Sequence, residues 1–542
     1  MKIKICLLTI SIVCAGIVAH GADVTAAEMS DAYYWNALDE EGKICGGSWS
    51  EASNWLRNGA AVEAPPNGIF ESVAFTTSVA RAYTVKLTQD VVVSNLYVHC
   101  RPGNDRRPNT LLTLDMGGYV LTVTNMARVG WSWNPYPSLT VTNGTFVVGN
   151  SLRPGFDSNL SSEMARFFAC GPETIVRPFR FYWGMRPEYP YTDGMEVFRV
   201  SGGATFETTA TNSGAYFASG TYRNYYYFSG VGTQAKFAGG IEINSASTVV
   251  VEDGARMVLD GFYENNNWGQ TCRNCIGRAF NGTGNRLVVD NATLEIKHYP
   301  LVVGDVDSQT SGNNNQLIVT NGACVALADA NAHIWLGRAG NPDAIASNNW
   351  LHVVDGGSVT GLASIAVGQR EHATDNHLYV KDGALDVTRI ELGNYYTGIP
   401  TNCWVHVAGT NSSIVCTASP GLRVCSGAGL DFTIGADGYA KTPIRLSGGG
   451  VEVTTTGDYY KVKPQMPKLR IDAEAFARVH PKTKVPLIEC ATACKSALLY
   501  LATNVTMVVE NENYAGTVSV TDDGMKLIYE SPALRGTQVL FK

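Results

Sequence analysis

Charge is what this chain has least of: Asp, Glu, Lys and Arg make up 16% of its 542 residues, against roughly 25% in ordinary soluble domains. Surface helices need a charged outer face, so a mainly helical protein is disfavoured. The net charge of −7 excludes a nucleic-acid partner, because no surplus of Lys and Arg exists to displace phosphate counterions. Long apolar runs are also lacking. Beyond Val18 no stretch approaches the ~20 apolar residues of a spanning helix, so no membrane span is expected. Walker loops, dinucleotide fingerprints and Ser-His-Asp contexts are absent, and no cofactor is expected. What is abundant is Gly, at 56 residues, together with Asn, Thr and Val. That composition suits short strands and tight turns.

The first residues read as an export signal over 1–21. Lys2 and Lys4 precede an apolar core from Ile5 to Val18, and Ala19-His20-Gly21 offers small residues before a cut after Gly21. The expected location is extracellular or at the cell surface, with the periplasm as the other destination. Of thirteen cysteines, Cys6 and Cys14 lie in this leader and eleven remain. An odd number leaves at least one thiol unpaired within the chain. Their scatter does not look like the framework of a small disulfide-stapled domain.

The main signal is a repeat. NRLVVDNA from Asn285, NQLIVTNG from Asn315, NWLHVVDG from Asn349, NHLYVKDG from Asn376 and the weaker NCWVHVAG from Asn402 share one pattern, with steps of 30, 34, 27 and 26 residues. Each is followed by a second apolar run ending in Gly, at Gly304, Gly337, Gly368 and Gly393. Asx-Gly pairs favour the positive φ of a tight corner. A unit this short cannot enclose its own apolar face, so neighbours must stack at ~4.8 Å and share a core. Sandwich modules would repeat near ~100 residues instead. The expected fold is therefore all-β, a right-handed parallel β-helix, the hand following from the usual chirality of parallel connections. The Asn column (Asn285, Asn315, Asn349, Asn376, Asn402) is expected to bond rung to rung as a structural ladder.

A solenoid must shield its end rungs. An N-terminal cap with the first rungs is expected over 22–100, the helix proper over 101–463, and a small β-rich cap over 464–542. The segment at about 151–245 breaks the pattern and reads as an aromatic-rich irregular insertion. The series W…GGSWSEASNW…PP…VAF…YTVKL…SNLYV, starting at Trp35, resembles the start of passenger-type parallel β-helices in autotransporter-like secreted bacterial proteins. The Asn-x-Leu-x-Val-x-Asx-Gly rungs look like that family's repeats too. The resemblance implies a surface or extracellular protein that engages a partner along an extended flank. No segment after Gly450 has the ~10-residue alternating strands of a membrane barrel, which departs from the full family pattern.

Three functions follow. The first is a noncatalytic adhesion or structural scaffold contacting a glycan or cell-surface component. The second is a polysaccharide lyase or glycoside hydrolase. The third is a glycan-binding protein using Tyr222, Tyr225, Tyr226, Tyr227 and Phe228, since aromatic rings offer amphipathic contact surface. If that run is a strand, Tyr225 and Tyr227 share a face and Tyr226 lies opposite. Hydrolysis of glycosides needs two carboxyls ~5–9.5 Å apart. The outward column of Glu391 holds Val302, Trp335, Ala366 and Arg423, and that of Asp386 holds Ala326 and Thr360, so neither pairs two acids. No catalytic residue and no metal site is assigned. Cys272 and Cys275 form half of a zinc-ribbon pattern without its partner pair. They read as a local disulfide or free thiols, as do Cys490 and Cys494. His352 and His406 stand two rungs apart, too far to share one zinc ion. Asp305 and Asp307 lack the regular spacing of a calcium loop.

Overall fold

A computed structural model of the chain describes residues 31–77, 81–100, 110–130, 137–154, 165–183, 195–211, 214–218, 224–261, 263–266, 269–272, 274–278, 282–306, 312–339, 345–369, 373–393, 402–425, 427–454 and 467–533. The expected leader at 1–21 lies outside them. Within them the chain winds as a parallel β-solenoid.

One rung shows how. Gln316–Thr320 places Leu317 and Val319 inside, fully buried, while Gln316 and Ile318 point out. Asn321 and Gly322 then take φ of 52° and 76°, the left-handed corner that Asn and Gly adopt most easily. Cys324–Leu327 runs along a second face and Ile334–Ala339 along a third. Each repeat thus has three strands. The first face is a 16-stranded sheet, while the strands of the other two faces join in a 29-stranded one. Leu287, Leu317, Leu351 and Leu378 sit above one another, followed by Val405, Leu430 and Leu469. All are at most 1% exposed. Each such side chain contributes roughly 1.5–3 kcal/mol by leaving water.

The Asn ladder is real over four rungs. Asn285, Asn315, Asn349 and Asn376 are fully buried. The side-chain oxygen of Asn315 accepts from the backbone N–H of Asn285 (3.0 Å) and its Nδ2 (2.9 Å). Asn349 accepts likewise from Asn315 at 3.1 Å and 3.1 Å, and Asn376 from Asn349 at 3.1 Å and 2.9 Å. Asn402 does not join them. His377 pairs with Trp404, so Cys403 follows Asn376 in the ladder column. Asn402 falls one place earlier, beside Gly284, Asn314, Asn348 and Asp375, all at positive φ. The core decides this: aligning Asn402 with Asn376 would slip the strand by one residue and send Trp404 inward.

Glycine is required where the third face meets this ladder. Gly304 and Gly337 have φ of 77° and 70°, and a Cβ on either would lie 2.3 Å from the amide of Asn349 or Asn376.

Among its described residues the expected insertion at 151–245 is instead built of stacked parallel rungs, with a register shift between Glu196 and Phe198. Arg166–Cys170, Met195–Ser201 and Asn224–Ser229 pair in parallel along the first face. Their interior holds rings in place of Leu and Val. Phe198 packs edge-on against Phe181 (5.3 Å) and Phe206 (5.3 Å), and Trp183 against Tyr226 (5.4 Å). Aromatic filling makes the segment look irregular in sequence while the parallel pairing continues.

At the N-terminal end Trp35, Trp49 and Trp55 cluster on Phe75, the rings 4.8–6.0 Å apart. Their indole N–H groups donate to backbone carbonyls of Cys45, Pro66 and Trp49. At the other end Lys484–Cys490 pairs antiparallel with Lys526–Glu530, which pairs with Thr517–Val520. Helix Glu474–Val479 precedes these strands in the chain, and helix Lys495–Thr503 follows the first of them.

Replacing Asn349 by Ala strands two buried donors of Asn315, each costing roughly 1–3 kcal/mol. The thermal midpoint should fall, for a loss of about 2–4 kcal/mol. Gly337→Ala should cost more than about 1 kcal/mol through strain and overlap. Unchanged melting of both would contradict the buried ladder.

Candidate functional site

Of the Tyr-rich segment, Tyr222 lies outside the described residues. Tyr226 and Phe228 are fully buried in the interior, so they are core and not part of a ligand face. Alternation along Asn224–Ser229 leaves Tyr225 and Tyr227 outward and half-buried. Their rings stack at 6.2 Å, and the Arg199 guanidinium lies 4.5 Å over Tyr227.

From Tyr227 an outward column runs down the first face through Val250, Val288, Ile318, His352, Tyr379 and His406 to Asp431 and Arg470. The adjoining column carries Gln316, Trp350, His377, Trp404 and Gly429. Rings gather where both columns are aromatic. Trp350 stacks on His377 at 4.0 Å and lies parallel to His352 at 5.1 Å. Tyr379 stands edge-on between His352 (5.8 Å) and His406 (6.3 Å). Trp404 leans over Gly429, where a Cβ would meet the indole at 2.4 Å. Both indoles are fastened in the same way. Trp350 Nε1 donates to Asn348 Oδ1 at 2.7 Å and Trp404 Nε1 to Asn402 Oδ1 at 2.8 Å. The corner residue that left the ladder thus orients a surface ring.

The imidazoles are chained. Asp431 accepts from His406 Nδ1 at 2.8 Å; a carboxylate can only accept, so that nitrogen carries the proton. His406 Nε2 then accepts from His377 Nδ1 at 3.0 Å, and His377 Nε2 faces Asp375 at 3.8 Å. Burial pushes His377 down to about 4, with His406 adding to the effect. His352 is likewise held at about 4 by burial, then by His406 and Arg286.

The column of Glu391 runs on past Arg423, beyond the sequence reading. Glu391 stands between Ala366 and Arg423, with its carboxylate 3.2 Å from the guanidinium, and Glu452 follows at 2.8 Å from Arg423. Asp386 lies between Thr360 and Val415. The column of Glu391 thus carries a second carboxylate, Glu452, with the Arg423 guanidinium held between the two. Asp305 is buried against Arg338 (3.4 Å) and Arg278 (3.9 Å), while Arg278 also holds Glu242 at 2.8 Å. Two guanidiniums beside Asp305 repel a calcium ion. Asp307 and the Cys272 side chain lie outside the described residues.

A second concavity was not legible in the sequence. Where the second face turns into the third, the corners of five successive rungs open a cleft of about 620 Å³. Thr211 and Ala238 come from the first two, Asp260 from the third, His298 and Tyr299 from the fourth, His333 and Trp335 from the fifth. His298 Nδ1 lies 2.6 Å from Asp260 Oδ1. Register places Leu259 against Ile296, so counting along the strands sets Asp260 opposite Lys297 and hides its contact with His298.

In the C-terminal region the Sγ atoms of Cys490 and Cys494 are 3.1 Å apart. Cys494 immediately precedes helix Lys495–Thr503. The hydrogen bond between the two sulfurs holds Cys494 down to about 7 and raises Cys490. Burial instead pushes Cys403 and Cys416 up to about 12.

Compared with protein families, curated proteins and solved structures, the chain matches none.

For His352 and His377 the folded value lies below the ordinary 6.5. As pH falls the unfolded chain takes up protons first, so this stability is full above about 6.5 and is lost progressively down to about 4. Unfolding midpoints measured across that window should drop, and His352→Gln should flatten the slope. At neutral pH, iodoacetamide should label Cys494 ahead of Cys403 and Cys416, because the thiolate is the reactive form. Mild oxidation should join Cys490 to Cys494, read by peptide mass as the loss of two hydrogens.

Proposed function

We propose that this chain is an exported, noncatalytic β-solenoid, an adhesion or scaffold protein of the cell surface or extracellular space that resembles autotransporter-type passengers. It holds an extended glycan along the outer side of its first face. The observation that carries this reading is the row of outward rings, Trp350, Tyr379, Trp404 and the histidines among them, fixed on successive rungs. Trp350 and Trp404 stand two rungs apart, about 9–10 Å from the ~4.8 Å strand spacing. That is close to the length of one disaccharide unit, so a linear polysaccharide lying along the helix axis meets equivalent rings at equivalent sugars. Indoles already fastened by Asn348 and Asn402 lose little freedom on binding. Imidazole, phenol and indole edges supply donors and acceptors for hydroxyls, and aromatic surface covers the apolar sugar faces. Tyr227 and Tyr225 lie farther up the same face, beyond Ile318, Val288 and the buried Val250.

Affinity electrophoresis through gels holding neutral and acidic polysaccharides tests this. At least one polymer should retard the protein. The double variant Trp404→Ala, Tyr379→Ala should migrate freely while its circular dichroism stays that of the parent. A parent chain unretarded by every polymer, or a variant retarded as before, overturns the proposal. Release of shortened products from the gel polymer would favour the lyase or hydrolase reading instead.

A further inference from the structure

The cleft at the second corner is separate from the ring-lined face, and its chemistry points to a ligand of its own. Its volume of about 620 Å³ falls within the ~300–1,000 Å³ of small-molecule sites. We propose that it binds one or two neutral sugar units, with His298 and His333 as complementary hydrogen-bonding partners and Trp335 as the apolar wall.

The tautomers carry the argument. Asp260 can only accept, so the 2.6 Å contact puts a proton on His298 Nδ1 and leaves Nε2 as an acceptor in the neutral ring. His333 is arranged the other way. Its Nδ1 lies 3.1 Å from the backbone nitrogen of Ser364 and 2.9 Å from that residue's hydroxyl. A backbone N–H can only donate, so His333 Nδ1 is bare and Nε2 carries the proton. One imidazole therefore offers a lone pair and the other an N–H. A sugar hydroxyl is both donor and acceptor, and neighbouring hydroxyls on a ring can use both at once. The Trp335 ring lies nearly parallel to His333, 13° between planes at 6.1 Å, adding aromatic surface of the kind that covers sugar C–H faces.

Charge selects the class further. Asp260 is the one carboxylate, and no Lys or Arg is present, among the residues lining the cleft. Burial lowers the His333 pKa, and Asp329 and Glu391 lie close enough to influence its titration. That burial favours the neutral ring, and Glu391 is itself paired with Arg389 and Arg423. The nearby Arg338, 5.8 Å over the Trp335 ring, is buried and held by Asp305 at 3.4 Å, so a uronic acid finds no cation lining the cleft, whereas an uncharged sugar needs none.

This inference does not depend on the first-face proposal, and the two fail separately. The full chain is titrated with cellobiose, lactose and N,N′-diacetylchitobiose, with galacturonic acid as the anionic comparison, by calorimetry and tryptophan fluorescence. Saturable binding of at least one neutral disaccharide is expected, weakened tenfold or more in His298→Ala and in Trp335→Ala. His298 is well exposed, its side chain 59% accessible, so its removal leaves the fold intact. Retention of His298→Ala on polysaccharide gels should match the parent, and Trp404→Ala, Tyr379→Ala should still bind the disaccharide. No saturable binding of any neutral probe, tighter binding of galacturonic acid, or affinities unmoved in both cleft variants would overturn the assignment.

Discussion

Everything in this protein depends on rungs resting on rungs. A single repeat of about thirty residues has an apolar side it cannot cover alone. The parallel hydrogen bonds that join Leu317, Leu351 and Leu378 to their counterparts also seat their side chains on one another. Backbone pairing and core burial are satisfied by the same movement, so neither can be altered without the other. The buried Asn ladder is the polar form of that constraint. An amide inside a dry core is tolerable only when its groups are bonded, and the rung above and the rung below provide the partners.

Because the interior is fully occupied, the exterior is free to vary. The corners hold Asn, Asp and Gly for conformational reasons, yet Asn348 and Asn402 also fasten the surface indoles. Loop length changes from rung to rung without disturbing the stack, and at one corner five rungs together open a cleft. Repetition of the scaffold thus yields two surfaces of different character. One is a long flank with rings at intervals of the rung spacing, and the other is a local concavity with oriented imidazoles. Buried ion pairs among Arg278, Glu242, Asp305 and Arg338 hold a third part of the exterior closed.

Much of this was legible beforehand. Strict alternation at Leu317-Ile318-Val319 and the Asx-Gly corners specify strands and turns. The indoles at Trp35, Trp49 and Trp55 mark the start of the solenoid, and columns such as Ala366, Glu391 and Arg423 can be read by aligning repeats. The aromatic rungs between 165 and 261 were harder, because Phe and Tyr replace Leu and Val and the leading Asn is kept at Asn224 but gives way to Ser247 on the next rung, although the period-two pattern persists in NYYYFS.

What the amino-acid order determined by itself was the period, the inward parity of each strand and the residues able to turn corners, since these follow from local sterics and from keeping apolar side chains dry. It could not settle whether Asn402 or Cys403 continues the ladder, because that is decided by which register buries Val405 in place of Trp404. Nor could it bring His377 to His406 or Asp260 to His298. Those meetings cross from one column to another or occur at corners outside strand pairing. They depend on how neighbouring loops and side chains lean, which only the stacked, three-dimensional arrangement decides.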